Sequence, residues 1–75
     1  MKTLDEFIEL FQEQFDETEG IEASTVFHEL DEYSSLIALS IIAMIDEEFD
    51  VTIKGDDMNS SVTVEDLYNK VIAKL

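Results

Sequence analysis

Two adjacent hydroxyls, Ser34 and Ser35, stand directly before Leu36–Ile45, a run in which nine of ten residues are apolar. The chain around them carries a formal charge of -15. Either serine is a good helix N-cap, and residue type alone favours that role. The chemical alternative is covalent modification. A hydroxyl at a helix N-terminus sits beside unpaired N–H groups and the positive end of the helix dipole. A phosphate ester attached there is electrostatically favoured. Phosphorylation and a phosphodiester-linked cofactor are both compatible with this pattern.

Other residues offer less chemistry. His28 is the only histidine and there is no cysteine. A lone histidine in a connection is more often packed or exposed than catalytic. The carboxylates fall where solvated helix faces are expected, and no pair stands apart for acid–base work. A calcium loop starting at Asp50 would put Gly55 correctly at its sixth position. It would also put Lys54 at the fifth and Ser61 at the twelfth, where a bidentate Glu belongs. The expectation is therefore no catalytic residue and no dedicated metal site, with only weak divalent-ion association at acid clusters.

Composition narrows the class further. Hydrophobic residues make up 45% of the 75, and five are Phe, so the charge does not imply disorder. A chain of this size forms one small domain with a marginal core. The absence of proline and the presence of only two glycines favour helices over a turn-rich β-sandwich. Nineteen acids against four bases exclude nucleic acid as a partner and favour proteins with basic patches. The opening "MKTLDEFIEL" is acidic within five residues, which predicts no secretory signal. The apolar run is shorter than the roughly 20 residues a membrane span needs. The lack of cysteine fits a reducing cytoplasm.

The serines need a frame to hold them. Thr3 with Glu6 matches a capping box, and Leu4, Phe7, Ile8, Phe11 and Phe15 recur at helical spacing. They predict a first helix over 4–15 whose other face is acidic (Asp5, Glu6, Glu9, Glu13). Residues 16–34 read as a long connection, anchored by Ile21, Val26, Phe27 and Leu30, with a helical turn near "TVFHEL". A second helix is predicted from Ser34 or Ser35 to Phe49. Its core arc would be Ala38, Ile41, Ile42, Ile45 and Phe49. An opposite stripe would hold Leu36, Ser40, Ala43 and Glu47, flanked by Ile37 and Met44. Residues 50–61 form another connection with a short turn near 56–59. A last helix follows Thr63, which pairs with Asp66 as a cap, while Val62 can staple onto Leu67. Its apolar face is Val64, Leu67, Val71, Ile72 and Leu75. The expected core is Phe7, Ile8, Phe11, Phe15, Ile41, Ile42, Ile45, Phe49, Leu67, Val71 and Ile72. The fold class is all-α, a small four-helix bundle of three main helices and one short one.

The words "SSLIALSIIAMIDEEFDVTI", "FHELDEY" and "SVTVEDLYNKVIAKL", in this order, resemble the acyl carrier and peptidyl carrier family. That family's signature is Asp-Ser-Leu at the start of the second helix, followed by an apolar helix and an acid-acid-Phe ending. Ser34-Ser35-Leu36 stands in that place. Ile41, Ile42, Ile45 and Phe49 match the family's core positions. The likeness covers nearly the whole chain and implies one carrier domain over residues 1–75.

The resemblance implies that Ser35 carries 4′-phosphopantetheine, attached from coenzyme A by a phosphopantetheinyl transferase. The arm's thiol would hold acyl or aminoacyl groups as thioesters, so the chain needs no cysteine of its own. The protein would be a cytoplasmic monomeric carrier, not an enzyme. It would serve acyl-loading and acyl-processing enzymes of fatty-acid, polyketide or related specialised synthesis. Partner-binding residues would be Ser34, Leu36, Ile37, Ser40, Ala43 and Glu47, unless Leu36 instead packs on the long connection. Three departures stand out. Ser34 replaces the family Asp, no glycine precedes the signature, and Ile37 and Ser40 replace acids common in fatty-acid carriers. These favour a specialised carrier. The competing class is an unmodified acidic interaction module, and a phosphorylation switch is a third reading.

Overall fold

Thr3 fixes where the chain first turns helical. Its hydroxyl accepts the Glu6 N–H at 3.2 Å, and the Glu6 carboxylate accepts the Thr3 N–H at 3.0 Å. The predicted capping box is therefore formed. In the computed structural model, which describes residues 2–75, four α-helices follow: α1 (Leu4–Gln12), α2 (Ser35–Phe49), α3 (Gly55–Ser60) and α4 (Val64–Ala73). A single 3-10 turn, Phe27–Glu29, interrupts the long connection between α1 and α2. The all-α bundle of three main helices and a short one is the architecture read from the sequence.

α1 ends three residues earlier than its apolar spacing predicts. The Gln14 and Phe15 N–H groups turn back to the carbonyls of Phe11 and Gln12, so the ladder tightens to an i to i+3 pattern. The Gln12 side chain also accepts the Ile21 N–H at 3.0 Å, which draws the chain away from the helix axis. Phe15 stays buried although it lies outside the helix.

The phenylalanines carry the core. All five in the chain, Phe7, Phe11, Phe15, Phe27 and Phe49, are buried. Phe7 meets Phe49 edge-on at 5.6 Å, and Phe11 meets Phe27 edge-on at 5.4 Å. Each buried ring contributes roughly 1.5–3 kcal/mol of transfer free energy, and edge-on pairs add somewhat more. Ile41, Met44 and Ile45 of α2 and Val64, Leu67 and Val71 of α4 complete the contact.

Several expected core positions move. Ile8, Ile42 and Ile72 are only half-buried, and Leu75 is exposed. On α2 the buried stripe is Ile41, Met44, Ile45 and Phe49, so Met44 belongs to the core and not to the outward side. Ala38 and Ile42 sit at its edge. The helix is apolar nearly all round, and its neighbours set the phase. The connection after α2 buries Val51 and Ile53, and α3 buries Met58, none of which belonged to the expected core.

The long connection is well anchored. Ile21 and Phe27 are buried as expected, whereas Val26 and Leu30 are half-buried. Thr25 and Ala23 offer their carbonyls to the Val64 and Glu65 N–H groups, at 3.1 and 3.0 Å. A lone antiparallel bridge joins Val26 to Thr63. The first turn of α4 is thereby stitched to the connection that leads into α2. Thr63 and Asp66 complete their predicted capping box, although Val62 remains 57% exposed.

Candidate functional site at the start of helix α2

The two serines have separate positions. Ser34 is extended, with φ -153° and ψ 174°, and its hydroxyl accepts the Ile37 N–H at 3.3 Å. Its carbonyl accepts the Ala38 N–H at 2.8 Å. Ser34 is thus the N-cap, and Ser35 is the first helical residue. Ser35 is exposed and its hydroxyl is not spent on the cap. Among the described residues, the Ser35 and Leu36 N–H groups have no protein acceptor. These are the spare donors a helix start offers an anion.

The approach to Ser35 is held by Glu32. Its carboxylate accepts the N–H groups of Asp16, Glu17 and Thr18 together with the Thr18 hydroxyl, which lies at 2.8 Å. The Asp16 N–H is the largest cause of a carboxyl pKa held down to about 2, and the Thr18 hydroxyl and the other two N–H groups reinforce it. The segment just after α1 is therefore clamped to the residues that lead into α2. Next in the chain, Tyr33 packs edge-on against Phe27 at 5.4 Å.

A groove of about 330 Å³ opens beside Ser35. Tyr33, Ser35, Ala38, Leu39 and Ile42 line one side, and Gly55, Met58 and Asn59 of α3 line the other. Two of the residues expected in the core arc, Ala38 and Ile42, are thus groove wall. Two larger hollows, about 530 Å³ each, lie away from Ser35, one beside Lys2 and Leu75 and one beside Gln12 and Ile21.

None of the remaining candidates on α2 lines this groove. Leu36 is 73% exposed, which rules out packing on the long connection. Ala43 and Glu47 are exposed, Ser40 is half-buried, and Ile37 is half-buried against the core. Leu39, 62% exposed, was missed by the sequence reading. Helical spacing could not single it out in a run that is apolar on every side. Glu32 and the α3 residues were also missed, because their roles depend on contacts distant in sequence. Along α2 no charge occurs before Asp46, and Asp46, Glu47 and Glu48 then follow together.

Lone His28 hydrogen-bonds to the backbone carbonyls of Met58 and Ser61, in the last turn and C-cap of α3. Among the described residues, no group of three or more His, Asp or Glu could hold a metal ion. None of the described helices is long and apolar enough to cross a membrane. What the site offers is one exposed hydroxyl outside the cap, two spare N–H donors and an apolar groove within reach. That set suits a phosphodiester-linked arm.

A family model described as phosphopantetheine attachment site matches residues 5–71, from the first turn of α1 to the last turn of α4. No curated protein and no solved structure gives a significant match. Members of the matched family are non-catalytic carriers with covalently attached 4′-phosphopantetheine, and they work with a phosphopantetheinyl transferase and acyl-processing enzymes. On the extent of that match, this chain belongs to the family of phosphopantetheine-binding carrier proteins.

Proposed function

We propose that Ser35 is the attachment residue and that residues 1–75 act as one carrier domain. The observation that carries this reading is the division of labour between the serines. Ser34 completes the cap, and Ser35 is left exposed at the first helical position with unpaired N–H groups around it. On attachment, the Ser35 oxygen bonds to the pantetheine-bearing phosphorus of coenzyme A, the pyrophosphate P–O bond breaks, adenosine 3′,5′-bisphosphate leaves, and the hydroxyl proton passes to the transferase or to solvent. The negative phosphate then lies at the positive end of a 15-residue helix. The bound arm supplies the thiol that holds acyl or aminoacyl groups. The protein's own part is to anchor, orient and partly shelter what is carried, and to raise its effective concentration at partner enzymes.

The partner face is proposed as Leu36, Ser40, Ala43 and Glu47, with Ser34 and Ile37 at its margins. Exposed Leu36 and Leu39 near Ser35 favour apolar contact, and the Asp46–Glu48 acids favour a basic group further along. The groove beside Ser35 is an apolar refuge for part of the cargo. Ile37 and Ser40, in place of acids, support a specialised pathway over housekeeping fatty-acid synthesis, with polyketide or related assembly as the class. A monomer working in the cytoplasm fits this role.

Intact mass after incubation with a phosphopantetheinyl transferase and coenzyme A tests the assignment. The expected result is one phosphopantetheine adduct, absent in Ser35→Ala. An adduct that persists in Ser35→Ala, or none with any of several transferases, overturns it. The second outcome would favour an unmodified interaction module.

A further inference from the structure

His28 joins the segment in front of Ser35 to α3. Its Nε2 lies 2.9 Å from the Met58 carbonyl oxygen and 3.1 Å from that of Ser61. Both partners are acceptors only, so Nε2 carries the proton and shares it between them. The residue is exposed as a whole, but this edge of its ring is turned into the fold. The ring is also fixed from behind, 4.4 Å from Phe27 and 5.1 Å from Tyr33 between centroids. Phe27 is fully buried, and Tyr33 lines the groove beside Ser35.

α3 depends on such anchors. It has six residues and one buried side chain, Met58. A helix this short has no stability of its own in water. On its other side, Lys70 donates to the Asp57 carbonyl at 3.2 Å and to the Ser60 hydroxyl, and Lys74 lies 3.8 Å from the Asp57 carboxylate. Those bonds tie α3 to α4. The His28 bonds tie its last turn to the aromatic edge made by Phe27 and Tyr33. Met58 is therefore both the groove wall and the residue whose carbonyl is held.

We propose that His28 is a positioning residue that sets the width of the groove beside Ser35, and so limits it to small apolar acyl groups. The observed volume of about 330 Å³ lies at the low end of the range for ligand pockets. This inference rests on the reading that the arm is attached at Ser35 and that its cargo uses the groove.

Two measurements test it. The first uses the unmodified protein and does not depend on the arm. His28→Ala should raise backbone amide exchange over residues 58–61 by about three- to tenfold, while α1 is unchanged. His28→Gln, whose side-chain amide can still donate from the same place, should restore most of the protection. If His28→Ala fails to fold, His28→Asn takes its place, because its shorter amide does not reach the two carbonyls. The second measurement loads straight-chain acyl groups of increasing length onto the arm and follows thioester cleavage by hydroxylamine. The native protein and His28→Gln should shelter short chains best. His28→Ala should shift the best-sheltered length upward. Unchanged exchange in His28→Ala refutes the latch. Faster exchange with an unmoved length profile refutes the role in selection. If no arm can be attached at Ser35, the carrier reading fails, and the exchange measurement still decides whether His28 holds α3.

Discussion

The starts of α2 and α4 are built from the same parts and end up in opposite states. Each has a hydroxyl residue as N-cap, extended in backbone, accepting the N–H three residues on. At α4 the next two N–H groups, of Val64 and Glu65, are taken by the carbonyls of Thr25 and Ala23. An acid at Asp66 closes the box by accepting from Thr63 and Val62. At α2 the corresponding N–H groups, of Ser35 and Leu36, find no protein acceptor among the described residues, and the third position is Ile37. One start is consumed by the fold, and the other is left open to solvent. Unspent donors at a helix start favour a phosphate ester there, so this difference supports the proposal that Ser35 is the attachment residue.

The contrast can be broken by measuring what each cap is worth. Thr63→Ala should cost about 1 kcal/mol, the usual loss for a native cap, read from urea unfolding. Ser34→Ala should cost roughly half of that, because its bond is long and exposed and no reciprocal acid supports it. Equal costs would show that the two starts are held alike.

The third prediction concerns pH. Glu32, two residues before the α2 cap, has a carboxyl lowered from 4.5 to about 2, chiefly by the Asp16 N–H. A depressed carboxyl contributes stability that is complete above its unfolded value and is lost as pH falls through its folded value. The clamp should therefore weaken between roughly pH 4.5 and pH 2. Glu32→Gln should flatten that part of the stability profile, measured by unfolding at a series of pH values. A profile parallel to the native one would mean that Glu32 does not hold residues 16–18. Asp66 is likewise lowered, most by the Thr63 N–H, so the α4 start shares the dependence. The Ser34 cap, a hydroxyl with no acid beside it, does not.

The smallest expected change sharpens the comparison from the other side. Ser34→Asp keeps a cap of equal quality and adds a negative charge where the dipole favours one. Stability should move by less than about 0.5 kcal/mol. The rate of attachment at Ser35 should rise, since the substitution restores the acid that the family keeps there. A rate that falls would show that the chain's acidity already burdens this helix start.

Much of the fold was legible because its signals are local. A capping box spans four residues, so Thr3 with Glu6 and Thr63 with Asp66 can be read as text. The serine pair could be read the same way, as one cap and one candidate acceptor. The rest depends on contacts between distant segments. Glu32 reaches residues 16–18, and His28 reaches Met58 and Ser61. Neither spacing leaves a pattern in the sequence.

The helix behind the serines shows the same division. By itself the sequence determined that Leu36–Ile45 is helical, apolar and preceded by a hydroxyl pair, because propensity and capping act within a few residues. It could not choose which apolar residues face inward. A helix that is apolar on all sides has no preferred phase until neighbours cover part of it. Tertiary packing put Met44 in the core, left Leu36 and Leu39 exposed, and set Ala38 and Ile42 against α3. The groove beside Ser35 exists only because α3 stands opposite, held there by hydrogen bonds from elsewhere in the chain.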